Sequence, residues 1–119
     1  MMRLICKSKI AGARVTATIV EYNGSLGVDS TLLEAAGILP YEMVLVVDVD
    51  NTNRFETYII PEKPGSGIIG VYGGAAKLSK VGNEIIVISS ALFSDDDLKH
   101  FKAPKVVRVD QRNKIVSTH

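Results

Sequence analysis

The segment MVLVVDVDNTNRFETYII, residues 43–60, is the clearest indication of the fold class. Its two halves, 43–50 and 54–60, are rich in Val and Ile, and they alternate between apolar and polar positions with the period of a half-buried β-strand. The connection Asn51-Thr52-Asn53 is short and polar, as is typical of hairpin turns. The segment therefore predicts a hairpin. Alternation divides its second strand into two faces, with Arg54, Glu56 and Tyr58 on one and Phe55, Thr57 and Ile59 on the other.

Similar short segments recur along the chain and predict an all-β domain over residues 1–119. The predicted strands are 2–8, 14–22, 43–50, 54–61, 68–72, 84–90 and 105–110. Two segments favour a short helix: STLLEAAGI (30–38), with Ser30 or Thr31 as cap and Gly37 as stop, and SDDDLKHF (94–101), with Ser94 as cap. Many short strands in a small chain favour a closed barrel over a sandwich, because an open sheet leaves its edges unpaired.

The composition excludes several classes of function. The 14 basic and 13 acidic residues are spread along the chain, without the cationic block that nucleic-acid binding needs. We expect no membrane segment, because no apolar run approaches about 20 residues, and a cytoplasmic location, because MMRLICKSK lacks a signal-peptide core. One Cys and two separated His predict no metal site. The 46% hydrophobic content suggests subunit contacts in addition to a core.

Two glycine-containing segments do not match common ligand motifs. Gly24-Ser25 follows an alternating apolar run, but Gly65-Ser66 repeats the dipeptide, so the pair alone indicates nothing. GVYGGAAK (70–77) lacks the Lys-Ser/Thr of a phosphate loop and is not within a βαβ pattern. It predicts either a tight turn or a bare backbone whose N–H groups can approach a ligand.

The order of several short motifs is more specific than any one of them, and it resembles that of the pyruvoyl-dependent aspartate 1-decarboxylase family. The resemblance covers nearly the whole chain and implies a double-psi β-barrel that assembles as a homotetramer with active sites between subunits. The product, β-alanine, would feed pantothenate synthesis. The motifs are Lys9 in KSKI, Tyr22-Asn23-Gly24-Ser25, AAGIL (35–39), Arg54-Phe55-x-Thr57-Tyr58, Gly65-Ser66-Gly67-x-Ile69 and Gly73-Gly74-Ala75-Ala76.

The resemblance implies that the chain cuts itself between Gly24 and Ser25 into chains 1–24 and 25–119. The Ser25 hydroxyl would attack the Gly24 carbonyl carbon, and elimination and hydrolysis would leave a covalent pyruvoyl group at residue 25. An amide is more stable than an ester, so the shift needs backbone strain, which Gly24 suits, and a donor to the oxyanion. The family assigns that donor to Thr57, which is otherwise an ordinary strand residue.

The resemblance also assigns the residues that act on the substrate. The pyruvoyl ketone would form a Schiff base with the amine of aspartate, and Tyr58 would return a proton to carbon after CO₂ leaves. Arg54 and Lys9 would bind the two carboxylates of the substrate. Without the motif, each would be interpreted as a solvent-exposed strand residue. The backbone of Gly73, Gly74 and Ala75 would contact the substrate, and Tyr22 would lie near the junction.

Three positions depart from the family pattern: Ala11 replaces an expected His, Tyr72 an expected Asn, and Gly74 an expected Ala. An inward Tyr72 would reshape the pocket and favour a different amino acid, whereas an outward one would change nothing. Without an imidazole at Ala11, self-cleavage is expected to be slow or to need a maturation factor. Two alternatives therefore accompany aspartate decarboxylation: a pyruvoyl-dependent decarboxylase of another amino acid, and an unprocessed barrel that acts as a binding module.

Overall fold

The computed structural model describes all residues, 1–119, and confirms that the chain is all-β. One α-helix, α1 (Ser30–Ala36), and two short 3-10 helices, Gly73–Leu78 and Asp97–Lys99, accompany nine strands. None of these helices has the length and apolar character needed to cross a bilayer. The strands are β1 (Met2–Arg14), β2 (Ala17–Ile19), β3 (Ser25–Asp29), β4 (Met43–Asp48), β5 (Arg54–Glu62), β6 (Ile69–Tyr72), β7 (Glu84–Ser94), β8 (Lys105–Val109) and β9 (Ile115–Thr118).

The strand order shows that the sheet closes into a barrel. The order is β2-β6-β3-β5-β4-β7-β1-β8-β9, with parallel pairs β1/β8, β2/β6 and β3/β5. Only Val15 and Thr16 separate β1 from β2, yet the two strands lie near opposite ends of this order. The sheet must curl round for both to be satisfied, and Thr16 bonds to Ile69 of β6 in both directions at this closure. The topology fits the expected double-psi β-barrel.

The core lies inside the barrel, on the face that the alternation of residues 43–60 predicts. One row across four strands consists of Ile10, Val87, Val46 and Phe55, and a second row consists of Val71, Leu26 and Ile59. All seven side chains are buried. At about 25 cal/mol per Å² of apolar surface, burial of each such side chain contributes roughly 1.5–3 kcal/mol.

Several predicted boundaries are wrong, for identifiable reasons. The predicted strand 14–22 breaks because Val15 and Thr16 change partners, to Asn83 and Ile69, as the chain crosses the barrel. β3 was not predicted because Ser25–Asp29 is buried on both faces and does not alternate. β9 was also not predicted. The predicted helix 94–101 is reduced to the 3-10 helix Asp97–Lys99, because so short a segment gains little from helical hydrogen bonds. Ser94 and Asp97 exchange hydrogen bonds, as expected of a cap, but Ser94 is the last residue of β7.

Helix α1 confirms the predicted stop but not the predicted cap. Gly37 ends the helix in the left-handed region, at φ 67°. The cap is Asp29 instead of Ser30 or Thr31, because the Asp29 carboxylate accepts the N–H of Thr31 at 2.9 Å.

Two buried carboxylates hold the connections at the ends of β3 and β4. Asp29 accepts the backbone N–H groups of Gly65 and Gly67, and Asp48 accepts those of Asp50 and Asn51. Asp48 also accepts the Ser79 hydroxyl at 2.6 Å and the Asn83 amide at 2.9 Å. Burial raises the pKa of each carboxyl, but the donors outweigh burial and leave the pKa below its ordinary value of 3.8. Both carboxylates therefore stabilise the fold in their charged form.

We predict that Asp48→Asn lowers the free energy of unfolding at pH 7 by about 2–3 kcal/mol, because an amide NH₂ would face donors that now meet a carboxylate oxygen. The measurement is denaturant unfolding at fixed protein concentration. The stabilisation by a carboxyl whose pKa is lowered on folding is present above its unfolded pKa and is lost as the pH falls through its folded pKa. The gap between wild type and variant should therefore narrow below about pH 4.

The matched control is Asp96→Asn, at an exposed residue whose carboxylate contacts only Lys99. This surface pair contributes little, so its loss should change the free energy of unfolding by less than about 1 kcal/mol. Equal effects of the two substitutions would contradict the role of Asp48.

Candidate active site

The Gly24–Ser25 link lies at the start of β3, between β5 and β6. Ser25 pairs with Tyr72 of β6, and Leu26 pairs with Ile59 of the parallel β5. Continuing the latter register by one and two residues places Ser25 beside Tyr58 and Gly24 beside Thr57. The fold therefore brings together two pairs of predicted site positions, Gly24 with Thr57 and Ser25 with Tyr58, and the members of each pair are 33 residues apart in sequence.

Ser25 is buried, with 1% of its surface exposed. Its hydroxyl donates to the carbonyl oxygen of Asn23 at 3.3 Å, one peptide before the Gly24 carbonyl. This long hydrogen bond leaves the hydroxyl poorly engaged at a site that excludes water.

The glycine that the backbone requires here is Gly73, which corrects the expectation for Gly24. Gly24 lies outside the left-handed region, and a Cβ added to it would meet nothing within 4 Å. Gly73 has φ 79°, and a Cβ on it would lie 2.5 Å from the Cα and 2.7 Å from the N of Gly24. The conformational demand therefore falls on the neighbouring turn, because its backbone packs directly against the junction.

That turn begins the 3-10 helix Gly73–Leu78, where a tight turn or bare backbone was expected. The first two N–H groups of a 3-10 helix have no acceptor within it, so those of Gly73 and Gly74 are not used by the helix itself, whereas the N–H of Ala75 is placed to donate to the Tyr72 carbonyl. Gly74 is exposed, and a Cβ there would meet nothing within 4 Å, so the replacement of an expected Ala leaves the backbone path unaltered.

Thr57 and Tyr58 lie on opposite faces of β5, as alternation predicts. Thr57 is 8% exposed on the inner face, at the level of Gly24, and its hydroxyl makes no hydrogen bond within the protomer. Tyr58 is half-buried on the outer face, at the level of Ser25, with its ring centroid 6.3 Å from that of Tyr41. Beside the junction, the protomer therefore places the free Thr57 hydroxyl on the inner face and the Tyr58 phenol on the outer face.

Lys9 and Arg54 lie apart from the junction in one protomer. Arg54 is four residues before Tyr58, about 13 Å along the strand. Lys9 belongs to a row that runs through Ile88 and Leu45 to Glu56, which places it about 14 Å across the sheet from β5. Ala11 pairs with Arg108 on the same distant side of the strand order.

Both cations are nevertheless free. Neither Lys9 nor Arg54 takes part in an ion pair, whereas the nearby Lys7 contacts Glu42 at 3.2 Å and donates to the Gly37 carbonyl at 2.8 Å. Arg14 is likewise paired, with Glu84. Lys9 and Arg54 therefore keep their donors available for carboxylates from outside the protomer.

Tyr72 shares the outer face with Ser25, but its ring turns away from that residue. A Cβ at Gly70 would overlap the Cζ and hydroxyl of Tyr72, and a Cβ at Gly27 would lie 2.7 Å from its ring, so the ring covers both glycines. The hydroxyl donates to the Glu62 carboxylate at 3.0 Å. Burial, the hydrogen bond to Glu62 and the charges of Glu62 and Tyr22 raise the pKa of Tyr72 to about 12.

Glu62 is the residue near the site that the sequence interpretation missed. Period-two alternation from Tyr58 through Ile60 places Glu62 on the same outer face, but Pro61 makes it difficult to predict that the strand continues to Glu62. The sequence could have indicated the face of Glu62. Its pairing with Tyr72 depends on β3 lying between their strands, which the sequence interpretation did not predict.

Comparison with known proteins identifies the family. The profile of the aspartate decarboxylase family matches residues 1–116. Aspartate 1-decarboxylase of Thermosipho africanus is 45% identical over 98% of this chain and 94% of its own length, and that of Thermoanaerobacter pseudethanolicus is 46% identical over 98% and 99%. The Carboxydothermus hydrogenoformans enzyme is 47% identical over 98% and 91%.

Two designed double-psi β-barrels are similar in structure. One has a TM-score of 0.49 and 12% identity over 68% of this chain and 94% of its own, and the other has a TM-score of 0.43 and 16% identity over 76% and 100%. The fold assignment is based on the strand order and not on these scores. The full-length match and the relatives at about 45% identity show that the chain belongs to the aspartate decarboxylase family and is an enzyme that decarboxylates aspartate.

Proposed function

We propose that this enzyme converts L-aspartate to β-alanine and CO₂ with a pyruvoyl group that it makes from its own Ser25. Cleavage between residues 24 and 25 would give chains 1–24 and 25–119. The observation that carries the proposal is the position of the link: the buried Ser25 hydroxyl lies between β5 and β6, with the Gly73 backbone against Gly24.

The residues present fit the self-cleavage. The Ser25 hydroxyl must turn from the Asn23 carbonyl oxygen to the Gly24 carbonyl carbon, and attack there breaks the amide and forms an ester. Elimination then releases the carboxylate of chain 1–24, and hydrolysis of the dehydroalanine at residue 25 releases ammonia and leaves the ketone. The Thr57 hydroxyl, free within the protomer and at the level of Gly24, would donate to the oxyanion formed during the attack.

For turnover, the chain's own residues bind the substrate and return a proton. A pyruvoyl group at residue 25 supplies a ketone that accepts the substrate amine and the electrons left by CO₂. Tyr58, at the level of residue 25 on the outer face, holds the phenolic proton that would be delivered to carbon. The backbone of Gly73, Gly74 and Ala75 would bind the substrate from the β6 side, with the N–H groups of Gly73 and Gly74 as donors that the 3-10 helix does not use.

The two substrate carboxylates require Lys9 and Arg54, and we propose that a neighbouring subunit brings these cations to the junction. Within one protomer they lie apart from Ser25. Large apolar side chains are also exposed on the strands that carry these cations and on their neighbours, including Leu4, Met43 and Leu92. Burial of this surface would favour a homotetramer with sites between subunits.

The remaining proposals concern the cellular setting. The enzyme would act in the cytoplasm and supply β-alanine for pantothenate synthesis. With Ala11 in place of an imidazole, cleavage would be slow or would depend on a maturation factor.

The alternative of a different amino acid as substrate is no longer supported by Tyr72, because the Tyr72 ring turns away from Ser25 and lies over Gly70 and Gly27. The binding-module alternative does not stand, since the family is one of enzymes.

Intact-mass measurement of freshly purified protein, before and after warming, tests the proposal. We expect masses for chains 1–24 and 25–119, with the larger chain lacking a free amino terminus and reacting with a hydrazine. A single uncut chain after prolonged warming, without a hydrazine-reactive carbonyl, would contradict the proposal.

We predict that Arg54→Lys raises KM for aspartate about tenfold with little change in kcat, because lysine cannot form the two parallel hydrogen bonds of a guanidinium. Steady-state kinetics on fully cleaved protein measures the effect. Arg108→Lys, an exposed arginine on β8, is the matched control and should leave KM unchanged. An unchanged KM for Arg54→Lys would exclude bidentate binding by this residue.

A further inference from the structure

We propose that the Tyr72–Glu62 pair is a positioning device for self-cleavage, which holds segment 22–24 against the turn at Gly73. The inference rests on the proposed cleavage at Ser25 and extends it to residues that take no part in bond breaking. It concerns how the carbonyl of Gly24 is kept in reach of the Ser25 hydroxyl.

The first support is the space made for the Tyr72 ring. Gly70 precedes Tyr72 by two residues on the same face of β6, and Gly27 is the strand partner of Gly70. A Cβ added at either glycine would overlap the Tyr72 ring, and one added at Gly27 would also lie 2.5 Å from the Glu62 carboxylate. The two glycines thus form a flat floor on which the ring lies. A side chain at either one would force the ring off this floor.

The second support is the hydrogen bond that fixes the far end of the ring. The Tyr72 hydroxyl donates to Glu62 at 3.0 Å across the whole width of β3. The high pKa of Tyr72 keeps this donor protonated at any working pH. With the ring held at its hydroxyl and on one face, Tyr72 has little freedom to rotate toward Ser25, its strand partner.

The third support connects Tyr72 to the residues before the cleaved bond. The Tyr22 ring packs on the Tyr72 ring, with centroids 5.1 Å apart at an angle of 56°. The next residue after Tyr72, Gly73, packs so closely on this segment that a Cβ added to it would overlap the backbone of Gly24 and lie 3.1 Å from the carbonyl oxygen of Tyr22. A fixed Tyr72 therefore fixes both ends of segment 22–24, by a ring contact at one end and a backbone contact at the other.

The test compares cleavage rates of precursor made by cell-free synthesis, followed by intact mass. Tyr72→Phe keeps the ring but loses the hydroxyl, and Glu62→Ala removes the acceptor. Each should slow cleavage about three- to tenfold, the range expected for one hydrogen bond. The double variant should be no slower than either, since both remove the same bond. Glu62→Gln retains an acceptor oxygen and should stay within about twofold of wild type.

Two further comparisons separate positioning from general destabilisation. Gly70→Ala should slow cleavage by displacing the ring, and it should have no added effect in a Tyr72→Ala background. The exposed pair of controls, Tyr41→Phe and Glu34→Ala, should cleave at the wild-type rate. Thermal unfolding of the uncleaved forms shows whether the variants that cleave more slowly are also the less stable ones.

The outcomes distinguish this inference from the proposed function. Wild-type precursor that never cleaves would overturn both. Wild-type cleavage with unchanged rates in Tyr72→Phe and Glu62→Ala would overturn the positioning role alone. So would a Glu62→Gln variant as slow as Glu62→Ala, because retaining the acceptor would then rescue nothing.

Discussion

Replacing Ser25 with Ala is expected to leave one uncut chain of 119 residues and no measurable decarboxylase activity. The hydroxyl is the only atom of residue 25 that can attack the Gly24 carbonyl, and the same residue would become the ketone. Loss of the nucleophile and of the electron sink therefore coincide. Intact mass reports the first loss, and CO₂ release from aspartate reports the second.

The chain contains its own control for this prediction. Ser66 also follows a glycine, but it is exposed, and its hydroxyl accepts the N–H of Ile68 at 3.2 Å. Ser66→Ala should cleave and turn over as wild type does, because the Gly65–Ser66 link is exposed, whereas Ser25 is buried and Gly73 packs against Gly24. Fragments 1–24 and 25–119 from Ser25→Ala would contradict the assignment of the nucleophile.

The second large effect is expected for Tyr58→Phe, which should cleave normally but lose about 10²- to 10⁴-fold in kcat, the usual contribution of a general acid. The ring, its packing and the strand pairing of β5 all remain, so only the proton is removed. Normal cleavage separates this role from self-processing, in which Thr57 on the opposite face is proposed to act. Steady-state kinetics on the cleaved variant, with its pH dependence, is the measurement.

Tyr41→Phe is the matched control because the Tyr41 ring lies 6.3 Å from that of Tyr58 but is 74% exposed. Its kcat should be within about twofold of wild type, since an exposed phenol has no dry pocket in which to hold a proton. If Tyr58→Phe retained full kcat, or if Tyr41→Phe were equally impaired, Tyr58 would not be the proton donor.

Local pattern was sufficient where one face of an element is buried and the other is not. Residues 43–60 alternate, and the structure places Phe55 and Thr57 inside and Arg54 and Glu56 outside, as predicted. Pattern was insufficient for β3, which is buried throughout and carries glycine at its centre. That strand holds the junction, so the least predictable element is the one on which the candidate site depends.

Periodicity and motif order were enough to predict the all-β class, the faces of the central hairpin and the family, because both are properties of the chain. The three-dimensional arrangement was needed to show that Gly73 adopts the left-handed backbone and Gly24 does not, that Tyr72 lies over Gly70 and Gly27, and that Glu62 accepts the Tyr72 hydroxyl. These features arise from strands that meet through barrel closure. A contact between residues that far apart depends on register and on the space left by neighbours, neither of which local pattern specifies.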